Sequence, residues 1–298
     1  MAVRHDRFKK TAAPYLYLSP TLMVMLILLV VPIGLVIYYS FLNNAIVVKE
    51  PSFVALDNYK KLLSDKHFWT SIRNTAFFVT FSVVGHLTLG LGFSMLLNSD
   101  MFSRKTKGFF RIIYILPWMF TASVIAILWK LMLQPQGVIN YLLSTLNLVS
   151  KDTEWLSSRS IALPVIIFIN IWCGYPFFVI SILAALQGVS KDLYESSAID
   201  GASTWKRFTK ITIPQIKPIL ISGGMLDIVW CIQSFAVIWM LTGGGPVLTT
   251  ETLSVFIYKL AFNSSKYALA STAAVIALLI CIGLVIVYIR EQRKIGSA

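Results

Sequence analysis

The first residue in this sequence that could do chemistry is an acid deep in an apolar run. Asp227 lies in "ISGGMLDIVWCIQSF". On a helix, Asp227, Trp230, Cys231 and Ser234 share one face, and Gln233 borders it. An ionisable group at membrane depth is costly, so it is read first as functional. A carboxylate beside aromatic rings suits a polyhydroxylated solute, whose hydroxyls donate and whose C–H faces stack. The same residues could instead form an interhelical hydrogen bond or ion pair. In "FINIWCGYPFFVIS", Asn170, Gly174, Phe177 and Ser181 share a face, with Trp172 and Tyr175 nearby. Gly174 and Ser181 also suit close helix packing, and Pro176 predicts a kink. His86 reads as a hydrogen-bonded packing residue.

None of this is covalent chemistry. No GxxxxGK[ST], HExxH or GxSxG occurs, so the chain carries no nucleotide-binding loop and no catalytic residue is assigned. Histidines stand only at 5, 67 and 86, and no two could share a metal at helical spacing. Cys173, Cys231 and Cys281 lie inside apolar runs, fit no metal or redox spacing, and read as small buried hydrophobes. No metal site is expected.

The elements that must position these residues are membrane spans. The chain is 57% hydrophobic and only 13% charged, with a mean hydropathy of +0.75. A soluble domain carries about 25% charged residues. The fold class is therefore an all-α polytopic membrane protein. Six stretches are long enough to cross: 15–41, 72–97, 109–133, 160–186, 216–241 and 266–290. The first is too long for a signal peptide and no small-residue cleavage site follows it.

The net charge of +13 is distributed as topology, not as a nucleic-acid patch. Arg4, Arg7, Lys9 and Lys10 precede the first span. Arg104, Lys105, Lys107 and Arg111 fill the second loop. Lys191, Lys206, Arg207, Lys210 and Lys217 fill the fourth, and Arg290, Arg293 and Lys294 end the chain. These segments face one side and hold sixteen of the 26 basic residues, which makes that side cytoplasmic, with both termini on it.

The fourth loop, 190–218, has its own local grammar. Ser190 can cap a short helix, Asp192 suits its first turn, and Gly201 supplies a left-handed stop. Ser203 can cap a second, amphipathic helix with Trp205 and Phe208 on one face, which Pro214 and Pro218 then end before the fifth span begins. Helix, glycine, helix and proline together make a rigid element outside the membrane that could be pushed by a soluble partner. The outer loop "LTGGGPVLTTETL" must turn without regular structure.

These residues carry a family resemblance. Glu195-Ser196-Ser197, three residues, Gly201, nine residues and Ile211-Thr212-Ile213-Pro214 resemble the EAA loop of ABC importer permeases, EAA-x3-G-x9-I-x-L-P. Every spacing is kept. Ser196 and Ser197 replace the two alanines, and Ile213 replaces the leucine. "LYESSAIDGASTWKRFTKITIP", "LTGGGP" and "IRNTAFF" are similar to the maltose- and glycerol-phosphate-type branch, and the resemblance covers nearly the whole chain. It implies a type I importer transmembrane domain with a cytoplasmic coupling helix in a prokaryotic inner membrane. It divides the chain into a tail, first span and outer loop (1–70), a core (71–291) and a tail (292–298).

By the same resemblance the partners are a second homologous permease, two ATPase subunits that bind ATP and Mg, and an extracytoplasmic sugar-binding protein. The chain itself holds no cofactor. Glu195, Ser196, Ser197, Ala198, Asp200, Gly201 and Pro214 become the ATPase-coupling residues. Asn170, Tyr175, Asp227, Trp230, Gln233 and Ser234 become candidates for a substrate path. Gly243, Gly244, Gly245 and Pro246 become a contact for the binding protein. Two rivals are an ion-coupled secondary transporter, which would show paired broken helices, and a non-transporting scaffold.

Overall fold

In a bilayer every backbone N–H and C=O must be paired within the chain, and an apolar run of about 20 residues does this as a helix. The computed structural model describes residues 15, 17–44, 46, 47, 49–99 and 101–296, with side chains to Arg293. The N-terminal basic residues and the side chain of Lys294 lie outside it. Among the described residues there is no strand, only a single bridge between Leu42 and Phe53.

Twelve helices follow in chain order. Helix α1 is Tyr17–Ser40 and α2 is Asp57–Leu63. Then come α3 (Lys66–Asn98), α4 (Arg104–Met119), α5 (Ala122–Met132), α6 (Val138–Thr145) and α7 (Ala162–Gln187). They are followed by α8 (Lys191–Ile199), α9 (Thr204–Ile232), α10 (Ala236–Thr242), α11 (Leu253–Asn263) and α12 (Tyr267–Gly296). Five of these are long and apolar enough to cross a membrane, and the α4–α5 pair makes a sixth if taken together.

The chain forms two compact units. The first comprises the described residues up to 65 with 257–278. In it the amide of Asn58 donates to the carbonyls of Ser40 and Leu42, each at 2.9 Å, and closes the end of α1. Thr272 adds a bond to the Ser40 carbonyl at 3.3 Å. The apolar length of α1 is exposed all round, as a lipid-facing helix is.

The second unit comprises the described residues of 66–256 and 279–296. Helices α3 and α7 form its centre. They approach so closely that a Cβ on Gly90 would stand 2.4 Å from the Cβ of Phe178, and one on Gly85 would stand 2.4 Å from Ile171. Small residues at a crossing let backbones come together where apolar solvent gives no other drive. Phe78, Ile166, Ile169, Ile238 and Val255 fill one side of this core, and Phe178, Ile182, Leu186 and Ile216 the other.

Two spans depart from the sequence reading. The third, expected as one helix over 109–133, is α4 and α5 bent by 99°. Phe120 and Thr121 are extended, and the Thr121 hydroxyl accepts the Val124 amide to start a new helix. Pro117 in the last turn of α4 has no amide to continue the ladder. The fifth, expected over 216–241, begins at Thr204, stops at Ile232 and resumes as α10. Pro214 and Pro218 do not end a separate short helix. A widened turn at Phe208–Thr212, in which the Ile213 amide reaches back five residues to Phe208, makes room for the Pro214 ring. Pro176 likewise sits inside an unbroken α7.

A methyl-bearing side chain at the tightest crossing should be costly. Gly90→Val should lower stability by about 3 kcal/mol through overpacking against Phe178, read as a drop in the detergent-solubilised melting temperature. Gly92→Val, where nothing lies within 4 Å, should leave it unchanged.

Candidate functional site

The loop between α7 and α9 is built from local signals. The Ser190 hydroxyl accepts the Asp192 amide and starts α8. At its end Gly201 has φ +70°, with its amide on the Ala198 carbonyl and the Ala202 amide on the Ser197 carbonyl. This paired closure is a Schellman motif, and it needs the left-handed conformation that glycine adopts without strain. The Ser203 hydroxyl then accepts the Lys206 amide and opens α9. A bond of 3.0 Å between the hydroxyls of Tyr194 and Thr212 ties α8 to α9.

The loop therefore presents a fixed surface. Glu195, Ser196, Ala198, Asp200 and Pro214 are exposed. Ile199 is 87% exposed and Trp205 72%. The two serines that stand where alanines were expected fold back on their own helix. Ser197 Oγ donates to the Tyr194 carbonyl at 2.9 Å, and Ser196 Oγ to the Leu193 carbonyl at 3.3 Å. With their hydroxyls occupied this way, they present little more than an alanine would.

A second group of polar residues lies inside the core. His86 on α3 and Asp227 on α9 are 2% and 5% exposed. His86 Nδ1 is 2.7 Å from Asp227 Oδ2, and its Nε2 is 3.0 Å from the main-chain oxygen of Asn170 on α7. The Cys231 thiol donates to Asp227 Oδ1 at 3.7 Å, and the Asn170 amide donates to Cys231 Sγ at 3.7 Å. The ligand atoms of His86, Asp227 and Cys231 lie within 4.8 Å of one another, a group among the described residues whose donor atoms are close enough to meet a metal ion.

Of the six positions suggested for a substrate path, only Asn170 and Asp227 meet in this group. Tyr175 is buried against Phe93 at 5.5 Å and Tyr114 at 6.4 Å. Trp230 is half exposed and turns to Phe177, ring centres 5.3 Å apart. Gln233 is exposed at the end of α9, and the Ser234 carbonyl accepts the Ser254 hydroxyl. Trp118 was not singled out in the sequence. It extends the Trp230–Phe177 contact into a strip, 6.3 Å from Phe177 and 54% exposed. Its signal was a tryptophan beside a helix-ending proline.

The glycine-rich loop is held onto the start of α3. Gly243 and Gly244 have φ +58° and +86°. Thr250 donates to the Gly245 carbonyl at 2.6 Å, and Thr249 to the Pro246 carbonyl at 2.7 Å. The Asn74 amide reaches the carbonyls of Leu248 and Glu251, and Thr75 accepts the Leu253 amide. Both fall within "IRNTAFF", and neither was given a role from the sequence.

Residues 89–295 match the model of the binding-protein-dependent transport system inner membrane component family. The chain belongs to that family. Among its relatives the trehalose/maltose transport system permease protein MalF of Thermococcus litoralis is 32% identical over 96% of each chain. The diacetylchitobiose uptake system permease protein DasB of Streptomyces coelicolor is 30% identical, over 95% of this chain and 87% of that one. A crystal structure of a bacterial ABC transporter involved in import of the acidic polysaccharide alginate contains a chain that superposes with a TM-score of 0.84. It is 24% identical, and the match covers 98% of this chain and 99% of that one. The fold is that of a type I ABC importer transmembrane domain. This permease is a multi-pass membrane protein and a transport subunit, and the secondary-transporter and scaffold readings are not favoured.

The glycine stop can be tested directly. Gly201→Val should cost about 1 kcal/mol or more of local stability from its left-handed backbone alone, since a Cβ meets nothing within 4 Å there. The Ala202 amide should then exchange with deuterium several-fold faster. Gly201→Asn should fall between the two.

Proposed function

We propose that this permease conducts a sugar or oligosaccharide as half of an ATP-driven, binding-protein-dependent importer. A second homologous permease completes the path. Two ATPase subunits bind ATP and Mg, and an extracytoplasmic sugar-binding protein delivers the solute. The termini and the α8 loop face the cytoplasm, and the Gly243–Pro246 loop faces the binding protein. The related permeases named for trehalose/maltose and diacetylchitobiose support a carbohydrate. A structure of the alginate transporter in complex with an alginate pentasaccharide-bound periplasmic protein supports the delivery step.

The observation that carries the reading is the α8 loop. A short helix closed at both ends projects an acid, Glu195, and a large apolar side chain, Ile199, that no described residue covers. That is the chemistry of a plug for a cleft in another protein, with Glu195 meeting a basic group there. ATPase closure on ATP moves α8 and tips the core from inward-facing to outward-facing, and hydrolysis resets it. Glu195→Lys should abolish ATP-driven uptake while the permease still inserts and α8 remains folded. Normal uptake, with the ATPase subunits still co-purifying, would count against the coupling role.

The aromatic strip Trp118–Phe177–Trp230 offers two half-exposed indole rings, from α4 and α9, on either side of a partly buried Phe177 on α7. Such faces stack on the C–H surfaces of sugar rings, while Gln233 can bond their hydroxyls. Trp118→Ala and Trp230→Ala should each reduce uptake by about ten-fold, the loss of roughly 1.4 kcal/mol of stacking, with the amount of inserted permease unchanged. ATPase stimulation by the loaded binding protein should survive in both.

A further inference from the structure

Two atoms of His86 face acceptors. The main-chain oxygen of Asn170 can only accept, so Nε2 carries a hydrogen. On the other side, 2.7 Å separates Nδ1 from a carboxyl oxygen of Asp227. A hydrogen must lie between them too, because two bare lone pairs would repel at that distance. It rests either on the ring, giving an imidazolium and a carboxylate, or on the acid, giving a neutral imidazole and a carboxylic acid. Both forms hold the same protons and both have zero net charge.

The surroundings require this count. Losing that proton would leave a net negative charge in an apolar interior, where an unpaired ion is expensive. The titratable side chain in contact with the pair is Cys231, and its thiol donates to Asp227 Oδ1. The socket is shaped for the ring. A Cβ on Gly174 would stand 2.2 Å from His86 Nε2. One turn further along α7, Phe178 lies nearly parallel to the imidazole at 5.7 Å.

We infer that His86 and Asp227 jointly bind one proton and form a neutral clasp that holds α3, α7 and α9 as a single body. The clasp is a proton-binding site within the membrane core. Asp227 is turned to His86 and not to the solute, and Gly174 and Asn170 are its positioning residues. The clasp does not depend on an ATPase or a sugar, and protonation and assembly report on it as well as transport.

The chemistry singles out one informative variant. Asparagine at 227 keeps both bonds without the extra proton, since its amide can donate to Nδ1 while Nε2–H still donates to Asn170. Asp227→Asn should therefore insert and transport within two-fold of wild type. Asp227→Leu and His86→Leu should each lower the folded, inserted yield at least ten-fold. In the full-length permease labelled with nitrogen-15 histidine, the signal lost in His86→Gln should report one of two states at neutral pH. These are a doubly protonated ring, or an Nε2–H imidazole accompanied by a carboxylic acid band that Asp227→Asn removes. Three results would overturn the clasp. One is a neutral imidazole beside a free carboxylate. The second is loss of uptake in a well-folded Asp227→Asn. The third is a stoichiometric transition metal in the purified permease that Cys231→Ser releases.

Discussion

The close crossing of α3 and α7 is the contact on which the rest of the second unit depends. Lipid is as apolar as leucine, so burying leucine against leucine gives these helices little reason to associate. What it does not supply is tight van der Waals contact or a partner for a polar group. Gly90 lets α3 reach the backbone of α7 at Phe178, and Gly174 lets the His86 ring lie against the main chain of α7. The approach brings Nε2 within bonding distance of Asn170. It also leaves Nδ1 directed at α9, where Asp227 receives it. Packing and polar pairing are here the same event, and each requires the other.

Around that rigid centre the spans bend only where the chain supplies a physical reason. Thr121 offers a hydroxyl to cap a new helix just after Pro117 has interrupted the old one, and α4 and α5 part by 99°. Pro214, with the same missing amide, breaks nothing, because the preceding turn widens to accept it. The difference lies in the neighbouring residues. A free amide cannot be left in hydrocarbon, so a proline breaks a span only where another group takes over the bonding.

This contrast explains what could be read in advance. The α8 loop was legible from Ser190 to the Ser203 cap, but not at Pro214 and Pro218, which read as the end of a short helix and instead lie within one that runs on to Ile232. Its caps at Ser190 and Ser203 and its stop at Gly201 are local devices, decided within four or five residues. The apolar spans, five or six among the described residues, were legible from composition. The break at Phe120 was not, because in an apolar stretch a threonine reads as one more small membrane residue. The His86–Asp227 contact was beyond reach for a different reason. It joins residues 141 positions apart, and although His86 read as a hydrogen-bonded packing residue and Asp227 as a path residue or an interhelical bond, nothing local paired the two. The strip through Trp118 was hidden likewise, since three helices contribute one ring each.

Helix α9 joins the exposed α8 loop to the buried core. It starts at the Ser203 cap beside the exposed loop and runs unbroken to Ile232, roughly 40 Å at 1.5 Å per residue. Near its far end it carries Asp227 into the clasp and Trp230 into the aromatic strip. The Tyr194–Thr212 bond fixes α8 to its base. In the proposed importer, a push on α8 is thus delivered through one stiff element to the residues that grip α3 and α7 and to a ring that meets the solute. A kink at Pro214 or Pro218 would have dissipated that movement as bending. The widened turn at Phe208–Thr212 keeps the helix continuous past Pro214, which is a mechanical reason for that proline to lie next to such a turn.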